Sequence, residues 1–225
     1  MEFGSFVLAA STADLADEPA ARPHADAVEF RLDLADDPQS QLTSYDGELP
    51  LIATNRVRAE GGEAPAGSAR LAALEGAVEH PAVGAVDLEL SAVESGDAEG
   101  VVAAAAANDT SVIVSVHDFD ATPARAELRR TLRAAAEAGD VGKLAVTARD
   151  RGDVLDLLAV TWELAEAGAP VATMAMGEAG RHSRAVAPLY GSRLGYAPLS
   201  PGDATAPGQY DLETLDSLLV GLGAR

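Results

Sequence analysis

Lys143 is the one lysine of the chain; the rest of its 16 basic side chains are arginine. A surface lysine can be exchanged for arginine, but an amine that must shed its proton and attack a carbonyl cannot, because guanidinium stays protonated at any working pH. Lys143 stands in the apolar run VGKLAVTA, and His117 stands in an earlier one, SVIVSVHDF. A buried amine near an imidazole is the minimum equipment for Schiff-base chemistry. The amine condenses with a ketone, and the imidazole, which titrates near neutrality, moves the protons.

Such groups need a scaffold that holds them together, and the hydropathy pattern supplies one. Eight short β-branched or apolar runs read as strands: 6–11, 27–34, 49–57, 85–90, 111–119, 143–149, 170–176 and 194–199. Helical patterns lie between them at 67–79, 97–107, 123–138, 151–168 and 183–191, with another, DLETLDSLLVGLG, at the end; those after the first two strands are short or weakly patterned. Alternation of this kind predicts a closed (β/α)8 TIM barrel, expected to be a single catalytic domain over residues 1–225, with an open doubly wound sheet as the competitor. No GxGxxG follows the first strand, which disfavours the open sheet. GGEAPAG (61–67) and SPGDATAPGQ (200–209) read as mobile loops, the second as a lid.

Strand parity says where polar chemistry lies. Val28, Phe30 and Leu32 share one face, and Glu29, Arg31 and Asp33 the other. Asp87 and Glu89 alternate with Val86, Leu88 and Leu90 in the same way, and Ser115 and His117 with Val112, Val114 and Val116. In a barrel the apolar face meets the helices, so three strands turn polar groups inward, where an ordinary barrel places Val, Ile and Leu. Desolvating several charges is costly unless they pair or bind a ligand, so the pattern predicts a polar pocket. On these boundaries Lys143 opens its strand, although barrel catalysis belongs to the C-terminal ends.

Composition narrows the function classes. There are no cysteines, which excludes disulfides and thiolate chemistry. The formal charge of −20 argues against nucleic acid or an anionic membrane as partner. Acidic residues are scattered rather than gathered in a tail, a pattern similar to that of proteins working in molar salt, where charges are screened beyond about 3 Å. The opening MEFGSFVLAAS lacks a basic leader, and no apolar stretch reaches membrane-spanning length, so the protein is expected to be cytoplasmic.

The motifs together resemble the type I 3-dehydroquinate dehydratases over essentially the whole chain. Glu29-Phe30-Arg31-Leu32-Asp33 is similar to that family's E-x-R-x-D strand; Thr54-Asn55-Arg56 with Glu60-Gly61-Gly62 is similar to its T-x-R and E-G-G segment. Asp87-Leu88-Glu89-Leu90 resembles its fourth strand. Ser115-Val116-His117-Asp118-Phe119 resembles the catalytic-histidine segment, and Lys143-Leu144-Ala145-Val146 the Schiff-base one. Met176-Gly177, Gly180 and Ser183-Arg184 resemble M-G-x-x-G-x-x-S-R, and Thr205-Ala206-Pro207-Gly208-Gln209 the S-A-P-G-Q loop. Thr205 stands where serine is usual and keeps the hydroxyl; Asn55 stands where an aromatic is more usual.

The resemblance implies dehydration of 3-dehydroquinate to 3-dehydroshikimate in the shikimate pathway, with no metal or organic cofactor, in a homodimer. Dehydrating a β-hydroxy ketone requires loss of the proton next to the carbonyl and of the β-hydroxyl. An imine at Lys143 is the electron sink for that, with His117 as proton carrier and Glu29 expected to assist or hold it. Arg184 is the expected clamp for the substrate carboxylate. Arg31, Arg56, Thr205 and Gln209 are expected to hold ring oxygens, with Arg58 the rival of Arg56. A class I aldolase and a non-catalytic ligand-binding barrel are the alternatives.

Overall fold

The computed structural model describes residues 1–200, 202 and 206–225. Eight parallel strands run in the order β7-β6-β5-β4-β3-β2-β1-β8. They are β1 (Val7–Thr12), β2 (Ala27–Arg31), β3 (Leu51–Thr54), β4 (Val83–Glu89), β5 (Ser111–Asp118), β6 (Val141–Thr147), β7 (Val171–Met176) and β8 (Leu194–Pro198). Among the described residues, the seam between β7 and β8 is joined by the bridge Val171↔Ser192, and the Thr173 N–H donates to Ser192 Oγ at 3.0 Å. The sheet thus rolls into the expected (β/α)8 barrel, and not into the open sheet.

Helices follow the strands in chain order: α1 (Glu18–Ala21), α2 (Pro38–Ser44), α3 (Ser68–Ala77), α4 (Leu90–Glu94), α5 (Glu99–Ala107), α6 (Arg125–Ala138), α7 (Arg151–Glu166), α8 (Gly177–Gly180), α9 (Ser183–Val186) and α10 (Leu212–Leu222). Local chemistry fixes their ends. Asp150 caps α7 by accepting from the Gly152 and Asp153 amides, and Asp211 caps α10 by accepting from Thr214, satisfying donors that have no partner inside the helix. On α6, Leu128, Leu132 and Ala135 recur at helical spacing and are buried against the sheet, whose outward side chains there include Leu144 and Val146.

Inside the barrel the two halves differ. Toward the N-terminal ends of the strands Val7, Ala27, Ile52, Ile113, Val141 and Leu194 form an apolar plug with Phe3. Toward the C-terminal ends the same inward parity delivers Glu29, Arg31, Asp87, Glu89, Ser115 and Lys143, all buried. Lys143 does not open its strand. β6 begins at Val141, so Lys143 is its third residue, level with Ser115 of β5. Gly142 hid this extension, since a glycine in an apolar run reads as a break. Its missing side chain is required here, because a Cβ would lie 2.4 Å from the Ala136 nitrogen where α6 presses on the strand.

Candidate active site

One cavity at the C-terminal ends of the strands is lined by Glu29, Arg31, Arg56, His117, Lys143, Arg184 and Gln209. These seven expected site residues, distant in sequence, share it; Thr205 lies outside the described residues. Lys143 Nζ donates to Asp87 Oδ2 at 2.9 Å and sits 4.3 Å from the centre of the Tyr196 ring, so the ammonium is held between an anion and a π face. Arg56 ties the same web together. Its Nη2 donates to Asp87 Oδ1 at 2.5 Å, and its Nη1 to Glu89 Oε1 at 2.9 Å and Ser115 Oγ at 2.8 Å. Arg58 points away, two-thirds exposed and 3.9 Å from Glu63. Burial pushes the Asp87 carboxyl up, but Arg56, Lys143 and His117 outweigh it and hold it well below the usual carboxylate range.

His117 has a carboxylate partner that the sequence did not reveal. Glu60 Oε2 lies 2.9 Å from His117 Nδ1 and accepts from the His117 amide at 3.0 Å. Glu29, expected to assist the histidine, instead accepts from Ser11 Oγ at 2.5 Å and Thr54 Oγ1 at 3.0 Å. The turn after β3 explains the exchange. Gly61 adopts φ +79°, which favours glycine, and a Cβ there would lie 2.2 Å from the Phe119 ring. Gly62 passes so near the Arg56 carbonyl that a Cβ would lie 2.0 Å from its oxygen. The two glycines therefore let the turn fold down onto β5, bringing Glu60 to the imidazole.

Burial pushes the Glu60 carboxyl up to about 7, with Arg56 opposing and the Glu89 and Asp87 carboxylates adding to the rise. Burial, reinforced by the Arg56 and Lys143 cations against Asp87, holds His117 well below its ordinary value. The imidazole is therefore neutral at neutral pH. When Glu60 is ionised it can only accept from Nδ1–H, leaving the Nε2 lone pair as the base.

The two remaining arginines differ. Arg31 is held by Asp33 through two contacts, Nε to Oδ1 at 2.9 Å and Nη2 to Oδ2 at 2.6 Å. Arg184, at the wall of the cavity on α9, is buried, and its Nε has no hydrogen-bond partner among the described residues. Burial alone drags its pKa down to about 10. The short helix that carries it is anchored to β7 by Ser183 Oγ, which accepts from the Ala175 amide at 2.8 Å. A desolvated guanidinium with no counterion among the described residues is a site for an anion, and its planar fork matches a carboxylate. Gln209 lies at the rim, its Oε1 accepting from the Ala206 amide at 3.0 Å.

The sequence model of type I 3-dehydroquinase matches residues 6–224. The chain belongs to the type I 3-dehydroquinases. It is 57% identical over 222 residues to the 3-dehydroquinate dehydratase of Haloarcula marismortui, covering 97% of each chain. It is 53% identical to that of Halobacterium salinarum, covering 99% of this chain and 100% of the other. Among solved structures, the type I 3-dehydroquinate dehydratase of Clostridium difficile with covalently modified comenic acid superposes with a TM-score of 0.84 at 29% identity, covering 97% of this chain and 92% of that one. Phosphoribosylanthranilate isomerase of Pyrococcus furiosus, at 12% identity and a TM-score of 0.55, shares the fold alone. Among the described residues of this type I 3-dehydroquinase, no helix is long and apolar enough to cross a membrane.

Proposed function

We propose that this chain acts as a 3-dehydroquinate dehydratase, a hydro-lyase that forms an imine between its substrate and Lys143 and makes 3-dehydroshikimate and water. The observation that carries this reading is a sole lysine placed inside the barrel in one cavity with His117. Family membership replaces the aldolase and non-catalytic readings.

In the proposed sequence the Lys143 amine adds to the ketone carbon, and the carbonyl oxygen leaves as water. The protonated imine acidifies the neighbouring C–H, and His117 Nε2 takes that proton, giving an enamine. The electron pair returns to expel the β-hydroxyl, which leaves as water after receiving a proton from the His117 imidazolium. Hydrolysis of the remaining imine restores the amine and releases the enone. General acid–base help of this kind contributes about 10² to 10⁴-fold. Glu60 fixes the imidazole tautomer, Arg184 clamps the carboxylate, and Glu29, Arg31, Arg56 and Gln209 surround the ring oxygens. Arg56 does so largely by ordering Asp87 and Glu89. The pathway context is aromatic amino-acid biosynthesis, and we assign one catalytic domain, a cytoplasmic location and a homodimer on the family resemblance.

The test is borohydride reduction with 3-dehydroquinate or its product, followed by mass spectrometry. A covalent adduct on Lys143 is expected, the α-amine being the only competing site. Dehydratase activity without an adduct overturns the imine mechanism.

A further inference from the structure

One polar group in the cavity has no task in this scheme. Tyr196, on β8, is buried beneath Lys143, and its phenol oxygen has no hydrogen-bond partner among the described residues. The described hydroxyls facing the same interior already donate: Ser11 and Thr54 to Glu29, and Ser115 to Asp87. Tyr196 lines the cavity with Glu29 and senses the charges of Asp87, Glu29 and Arg56. Burial, with the Asp87 and Glu29 carboxylates adding to it, pushes its pKa well above 10, so it is a lasting donor.

Donor–acceptor polarity decides what such a donor is for. Both Glu29 oxygens accept, one bond each from Ser11 and Thr54, and each has a lone pair to spare. A ligand hydroxyl bound there turns its hydrogen to Glu29 and leaves its own oxygen needing a donor. We propose that Tyr196 supplies it: Tyr196 and Glu29 together bind one secondary ring hydroxyl of the substrate, making Tyr196 a specificity-determining residue. A ligand with hydrogen in place of that hydroxyl strands both protein groups, and sites built around such a pair reject the deoxy compound. This assignment rests on the dehydratase reading above.

Tyr196→Phe keeps the ring under Lys143 and removes only the oxygen. KM for 3-dehydroquinate should rise about three- to ten-fold, the range of a neutral hydrogen bond, with kcat retained. The borohydride adduct on Lys143 should persist, and the thermal midpoint should not fall, because an orphaned buried hydroxyl is lost. Analogues of 3-dehydroquinate lacking one or other secondary hydroxyl supply the second arm. The intact enzyme should bind one of them more weakly by at least that factor, and Tyr196→Phe should weaken the parent but not that analogue, narrowing the gap to what Glu29 alone maintains. An unchanged KM, or a rise equal for parent and both analogues, overturns the assignment while the adduct upholds the mechanism. Absence of the adduct in the unsubstituted enzyme overturns the mechanism and this inference with it.

Discussion

Lys143 and Asp87, 56 residues apart in sequence, meet at 2.9 Å inside the barrel, and the other oxygen of that carboxylate is taken by Arg56 at 2.5 Å. The proposed nucleophile therefore rests as part of an ion pair inside a web that fixes its direction. Attack needs the neutral amine, so the web holds the lysine ready in position while proton transfer makes it reactive.

Replacing Lys143 separates these roles. Lys143→Ala and Lys143→Arg should both abolish turnover and borohydride labelling, although arginine keeps the charge opposite Asp87. Turnover well above background in Lys143→Arg would reduce the lysine to an electrostatic role.

Asp87→Asn leaves two buried cations without their shared anion, a loss of roughly 3–5 kcal/mol in denaturant melts. The folded Asp87 carboxyl titrates below the 3.8 of an ordinary aspartate, so its stabilisation is complete above that value and disappears as pH falls further. The variant should show a flatter acid limb of stability; an unchanged limb would deny Asp87 this part.

His117→Ala should lower kcat by about 10² to 10⁴-fold while the imine still forms and accumulates. Activity of the intact enzyme should fall as pH drops through about 7, the value near which buried Glu60 gains a proton and stops accepting from Nδ1–H. The limb belongs to the Glu60–His117 pair and should move or vanish in Glu60→Gln. A kcat/KM profile with the same limb in that variant would contradict the assignment.

Arg184→Met should raise KM about 10- to 100-fold, the range of charge-assisted hydrogen bonds, yet leave the thermal midpoint unchanged or higher. Removing an uncompensated buried cation relieves a desolvation penalty and so separates binding from stability. A lower midpoint with an unaltered KM would mark Arg184 as structural.

The −20 surface should make the fold salt-dependent. At about 0.01 M salt carboxylates interact over roughly 30 Å, and near 1 M over about 3 Å. Thermal melts in KCl should therefore show a midpoint that climbs with salt. A flat or falling midpoint would point instead to a basic protein partner.

The barrel was legible because its strands are short β-branched runs with charges at alternate positions, and alternation survives in any context. That Lys143, His117 and Arg184 would share one cavity was legible by residue type and motif. Glu60 as the partner of His117 was not, because a three-residue turn has no periodicity and the contact spans 57 residues. The Gly61-Gly62 pair was the available signal, since adjacent glycines mark a backbone that must pass close to something. Arg70 sits on a helix, where arginine reads as a surface charge, yet its Nη1 lies 2.8 Å from Glu89 inside the protein. Tyr196 was hidden in an apolar strand, where a tyrosine looks like packing.

The charged side chains buried among the described residues are five acids, Glu18, Glu29, Asp33, Asp87 and Glu89, and five bases, Arg31, Arg56, Arg70, Lys143 and Arg184. The negative excess therefore lies in the outer coat, and the interior is close to balanced. Coat and chamber can drift independently in evolution and design: acidic residues can be added to or stripped from the outside to suit brine or fresh water, while the walls that meet the substrate keep their own electrical balance.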